Sequence, residues 1–146
     1  MLLSKSFVFC NIVVAASISC VAPVFANGSL TLFERLGGIG QIADVVNETV
    51  DRTSKDPRVS HVFQGTKLAP VKESVVQHLC DISGGPCKYE GATMEKAHTG
   101  LAITLEQFEI MDNYLVQALS ARGVSQDAIE ELGKLLGAMK DDVINR

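Results

Sequence analysis

From residue 39 onward, apolar positions recur three to four residues apart, the period of helices with one buried face. Ile39, Ile42, Val45, Val46 and Val50 form the first long stripe, and Leu68, Val71, Val75, Leu79 and Ile82 form the second. Phe108, Met111, Leu115 and Leu119 make a third, and Ile129, Leu132, Leu136, Met139 and Val143 a fourth. No stretch alternates with the period of a strand, so the pattern predicts an all-α chain. Helix stops fall between the stripes. Ser29 is the expected cap of a short opening helix that runs to Leu36 and meets Gly37-Gly38. Asp56-Pro57 ends the next helix, and a brief turn from Val59 to Phe63 follows. Pro70 fits the first turn of the helix from Leu68 to Ile82, which Gly84-Gly85-Pro86 breaks. Residues Cys87 to Thr93 read as a loop and Met94 to Leu101 as a short helix. Thr104 and Gln107 have capping-box spacing, Gly123 closes that helix, and Ser125 caps the last one.

The first 26 residues follow a different pattern. Lys5 precedes an apolar run from Phe7 to Val24, and Val24-Phe25-Ala26 ends on a small residue. This is the layout of a secretory signal peptide, with a retained membrane anchor as the alternative. The expectation is a leader at 1–26 and an exported, periplasmic domain at 27–146 with no membrane attachment once the leader is cut. Cys10 and Cys20 leave with it, so Cys80 and Cys87 remain as a pair bound for an oxidising compartment. A disulfide is expected there, with two buried thiols as the alternative.

Charge and aromatic content narrow the partners. The net charge is −4, and losing Lys5 with the leader makes it one unit more negative. No basic stripe interrupts this, which argues against nucleic acid and anionic membrane surfaces. With no Trp and two Tyr, a stacking platform for bases is also missing.

Among the three histidines, His98 has the most informative setting. It lies four residues after Met94 and three before Leu101, on the face of the short helix that should turn inward. A buried imidazole needs a partner. The residues leave two readings open: a core histidine bonded to a carbonyl, or the axial ligand of a heme iron, for which one His in an apolar wall suffices. Without Cys-x-x-Cys-His, attachment as in c-type cytochromes is excluded.

From Leu32 to Asn145 the chain resembles the group I truncated hemoglobins. The resemblance rests on four pieces in order: Leu32-Phe33-Glu34-Arg35-Leu36-Gly37-Gly38; Asp56-Pro57-Arg58-Val59-Ser60-His61-Val62-Phe63; Gly84-Gly85-Pro86-Cys87-Lys88-Tyr89-Glu90-Gly91; and Met94-Glu95-Lys96-Ala97-His98. It implies a two-on-two helical sandwich around heme b, with His98 as proximal iron ligand. It implies Phe63, Leu79, Met94, Leu101 and Phe108 as heme walls, Val71 and Val75 on the distal helix, and reversible binding of O2, CO or NO. An NO dioxygenase served by an external reductase is a second reading; the chain carries no flavin or nicotinamide motif of its own. A heme-free helical interaction module is a third.

The chain also departs from the family's pattern. The usual oxygen-stabilising tyrosine falls on Val50, and the usual polar distal positions fall on Val71 and Val75. The expected pocket is therefore almost wholly apolar, with weakly held O2. His78 lies at the edge of the distal stripe, where it could face the heme edge, a propionate or the iron. Iron ligation there would favour electron transfer.

Overall fold

The computed structural model describes residues 29–146, so the expected leader at 1–26 lies outside the described residues. Helices α1 (Leu32–Arg35), α2 (Gly38–Lys55), α3 (Leu68–Ile82), α4 (Met94–His98), α5 (Leu105–Ala121) and α6 (Gln126–Gly137) follow in order. Short 3-10 turns cover Ser60–Phe63 and Lys140–Asp142. Among the described residues no helix is long and apolar enough to cross a membrane.

Apart from Ile39, which stays 45% exposed in the first turn, the predicted stripe of α2 becomes the centre of the core. Ile42, Val45, Val46, Thr49, Val50 and Thr53 are all buried, at spacings that put them on one broad face. Helices α3 and α5 both pack along α2, and α6 packs on α5. The result is two helix pairs, α2–α3 and α5–α6, laid one on the other. Leu79 joins from α3, Leu115, Ala118 and Leu119 from α5, and Ala128, Ile129 and Leu132 from α6. Each large aliphatic side chain buried here contributes about 1.5–3 kcal/mol.

The first turn ties the layers together. Thr31, rather than Ser29, caps α1: its Oγ1 accepts from the Glu34 N–H, while the Glu34 carboxylate accepts from the Thr31 N–H at 2.8 Å. Arg35 then reaches Asp127 at 3.0 Å and Glu131, both on α6. The Phe33 N–H donates to the Ser83 carbonyl at the end of α3, 2.8 Å away. The sharp exit from α1 requires left-handed backbone at two successive positions, Gly37 (φ 89°) and Gly38 (φ 74°), where a side chain would be strained.

Two other boundaries differ from the sequence pattern. The last long helix stops at Gly137, so Met139 and Val143 are carried by the following turn instead of continuing its stripe; Val143 is buried all the same. Helix α4 ends at His98, leaving Leu101 in an irregular turn with 38% of its surface exposed.

Cys80 and Cys87 are joined, with Cα atoms 5.7 Å apart. The bond fixes the buried end of α3 to the loop leading into α4. Gly85 sits inside this small ring. A Cβ there would lie 2.5 Å from the Phe33 ring and 2.7 Å from the Cys80 carbonyl oxygen, so only glycine passes.

Asp56 anchors the corner after α2. Its carboxylate accepts from the Arg58 N–H at 3.0 Å, from the Arg58 guanidinium at 2.6 and 3.0 Å, and from the Tyr114 hydroxyl at 2.8 Å. The Arg52 guanidinium lies 4.2 Å from the centre of the Tyr114 ring. Hydrogen bonds from Arg58, with a lesser one from Tyr114, hold the Asp56 carboxyl well below the usual carboxylate range.

Two outcomes follow for stability. A depressed folded-state pKa contributes stability above the unfolded value of about 3.9 and loses it as pH falls toward the folded value. Asp56→Asn should therefore lower the denaturation midpoint at neutral pH, and the gap from wild type should shrink only below about pH 4. Replacing Cys80 and Cys87 together by Ala should cost about 2.5 kcal/mol by the loop-entropy estimate, read by urea unfolding under non-reducing conditions.

Candidate functional site

Helix α4 is short, and its start is set by Thr93, whose Oγ1 accepts from the Lys96 N–H at 3.4 Å. Its product is the orientation of His98. The half-buried imidazole places Nδ1 2.7 Å from the Met94 carbonyl oxygen, one turn back. A carbonyl only accepts, so Nδ1 must carry the proton and Nε2 presents its lone pair. This is how proteins fix a ligating imidazole in tautomer and direction.

The chain beyond His98 is held from a distance. Gly100 (φ 81°) and Ala102 (φ 49°) both turn left-handed, the latter at a cost of about 1–2 kcal/mol for a residue with a Cβ. Compensation comes from the last residues. The Ala102 N–H donates to the Arg146 carbonyl, and the Asn145 N–H donates to the Ile103 carbonyl, each at 2.9 Å. Arg146 also approaches Glu95 of α4 at 3.7 Å.

Helix α3 carries the second group of candidate site residues. Its α2-facing line is marked by Lys72, paired with Asp51 of α2 at 2.7 Å, and by Val76, which borders a cavity shared with Asn47 of α2. Val71, Val75, His78 and Ile82 lie on a row turned roughly 100° from that line by helical geometry. All four are half-buried. Burial pushes the His78 imidazole pKa down, with Asp81 opposing weakly, and neither ring nitrogen finds a protein partner. The Tyr89 ring meets His78 edge-on with centroids 4.9 Å apart, and the Tyr89 hydroxyl donates to the Ala92 carbonyl at 2.9 Å.

The residues singled out in the sequence are distributed as follows. Leu79 is buried; Phe63, Val71, Val75, Met94 and Phe108 are half-buried; Leu101 is at the rim. Val50 is fully buried in α2. His61 is exposed, with Gln107 Nε2 at 3.2 Å from its Nε2, so it belongs to the surface. Helix periodicity did not point to Thr93, Tyr89 or the 144–146 tail. Thr93 alone left a local trace, a hydroxyl residue directly before the short helix.

These features suit a flat apolar group with one axial position to fill. Helix α3 makes extended close approach to α2 and not to α4, α5 or α6, whereas helices packed directly on one another lie 8–10 Å apart. The half-buried apolar side chains and the two imidazoles are carried by α3, α4, α5 and the Ser60–Phe63 turn, with Phe63 and Val75 also packed against the buried core.

Residues 31–145 match the family described as bacterial-like globin. The group 1 truncated hemoglobin of a Nostoc species is 31% identical over 116 residues, which cover 80% of this chain and 98% of the relative. That of Mycolicibacterium paratuberculosis is 32% identical, covering 75% and 78%. Among solved structures, the ferric truncated hemoglobin of Tetrahymena pyriformis superposes with a TM-score of 0.76 at 26% identity, covering 80% of this chain and all of that one. The 2/2 hemoglobin of Synechococcus sp. PCC 7002, solved in the cyanomet state with covalently attached heme, gives 0.73 at 29% identity, covering 80% of this chain and all of that one. The chain belongs to the bacterial-like globin family and, within it, to the truncated hemoglobins. Its function is that of a heme-binding globin that takes a diatomic gas.

Proposed function

We propose that the protein holds heme b through His98 Nε2 and binds O2, CO or NO reversibly in an exported, periplasmic setting. The observation that carries this is the 2.7 Å contact between His98 Nδ1 and the Met94 carbonyl, which presets the other nitrogen as a ligand. Heme supplies the iron centre at which a gas can bind; the chain supplies the axial base, the apolar walls and exclusion of water. Phe63, Val71, Val75, Leu79, Met94 and Phe108 form the walls, with Leu101 at the rim.

The apolar leader pattern supports export, and the Cys80–Cys87 disulfide accords with an oxidising compartment. The distal side sets the gas preference. Val50, Val71 and Val75 cannot donate a hydrogen bond to a polarised ligand, so O2 should leave quickly and CO should be relatively favoured. An NO-oxidising cycle would need O2 held firmly and a separate reductase, and the valines make the first of these a poor match. Reversible gas binding is thus the preferred reading over dioxygenation.

Two measurements test this. His98→Gly should lose the wild-type Soret spectrum and most heme affinity, and added imidazole should restore both; an unchanged spectrum would refute the ligand assignment. Val71→Gln adds a donor to the distal wall. A charge-assisted hydrogen bond of about 1.5–3 kcal/mol should slow O2 release by roughly one to two decades in stopped-flow.

A further inference from the structure

Helix α4 carries His98 but has little packing of its own. Its one extended contact is with the Lys140–Asp142 turn. Its position therefore depends on the chain that leads into it and the chain that leaves it. Residues 145–146 latch the leaving side. On the entering side, none of residues 86–93 is buried, and no backbone group from Pro86 to Ala92 bonds to other backbone. Tyr89 supplies polar and ring contacts to α3: its N–H donates to the Asp81 carboxylate at 3.0 Å, and its ring meets His78 edge-on. The covalent tie is the disulfide from Cys80 to Cys87. A segment so exposed and so sparsely bonded opens readily unless a cross-link restricts it.

Residues 83–85 are held on α3 by other means. Ser83 Oγ donates to the Leu79 carbonyl at 2.6 Å, and the Gly85 N–H donates to the Cys80 carbonyl at 2.8 Å. Opening the disulfide thus leaves α3 in place and frees the chain from Pro86 to α4. The two sulfurs also differ in access, since Cys80 is fully buried and Cys87 is half-buried. We propose that the Cys80–Cys87 bond is a redox-operated clasp on heme retention: closed, it steadies α4 and His98; opened by a dithiol reductant, it speeds heme release. The inference rests on the heme reading above. In the opening step a thiolate of the dithiol attacks Cys87 Sγ, the bond to Cys80 breaks, and Cys80 leaves as a thiolate that takes up a proton. The second thiol of the reductant then attacks its own sulfur in the mixed disulfide and frees the Cys87 thiol. Two electrons pass to the cysteine pair, and the dithiol ends as a disulfide.

The test uses ferric, heme-loaded protein with the bond closed, and the same protein reduced with dithiothreitol and freed of the reagent under argon. Transfer of heme to excess apomyoglobin should be at least tenfold faster from the reduced form, and reoxidation should restore the slow rate. In short deuterium pulses, amides 87–98 should label faster after reduction while those of α2 and α5 stay protected. Cys87→Ser opens the ring at its accessible end and leaves Cys80 in place. It should match the reduced wild type and respond no further to dithiothreitol. Equal release rates in the two redox states overturn the proposal, and so does a bond that dithiothreitol cannot reduce in the folded protein. Labelling that rises equally in α2 and α5 marks general unfolding and overturns it too, as does a response to reduction that persists in Cys87→Ser. A protein with no Soret band after heme addition removes the heme reading and this inference with it. A Soret band with unchanged release removes this inference alone.

Discussion

The molecule is organised around the burial of one side of α2. Its inward face, from Ile42 to Thr53, has almost no exposed surface, and both α3 and α5 take their positions from it. A single helix therefore serves as the spine for both layers. Because α3 leans on α2 and makes no extended close approach to α4 or α5, its other row keeps apolar surface that protein covers only in part, although Val75 and Ile82 also reach the core. That surplus lets a short chain accommodate a large flat cofactor. The connections then become critical: the Arg35 pairs with α6, the Phe33 bond to Ser83 and the 80–87 disulfide each brace an element that helix packing alone would leave loose.

Much of this was legible in the residue pattern because helix periodicity is a local property. The stripes on α2, α3 and α5 were readable from spacing, and Thr104 with Gln107 announced the start of α5 by side-chain chemistry alone. The misread boundaries share a cause. Both Ser29 and Thr31 can cap, but only Thr31 has Glu34 three residues on to return the hydrogen bond. At the other end of the chain, an apolar period continued to Val143 although the helix stops at Gly137, since burying Val143 does not require helical backbone.

The site was less accessible to such reasoning. The direction of His98 depends on a bond within α4, and the spacing of Met94 and His98 already permitted it. The same spacing also suggested that Leu101 shares the helix face, and that failed because Thr99 and Gly100 leave helical backbone. His78 looked marginal on a helical wheel. Its enclosure depends on Tyr89, eleven residues away on a loop with no periodicity. Contacts of that kind are set by how the chain returns on itself, which no local pattern records.

The pairing of residues 102–103 with 145–146 has a consequence for how α4 is held. The segment that follows α4 has no regular structure of its own and is latched by residues 145–146. Loosening residues 145–146 would therefore release the chain just beyond His98, so the orientation of that imidazole is sensitive to changes far from it in sequence.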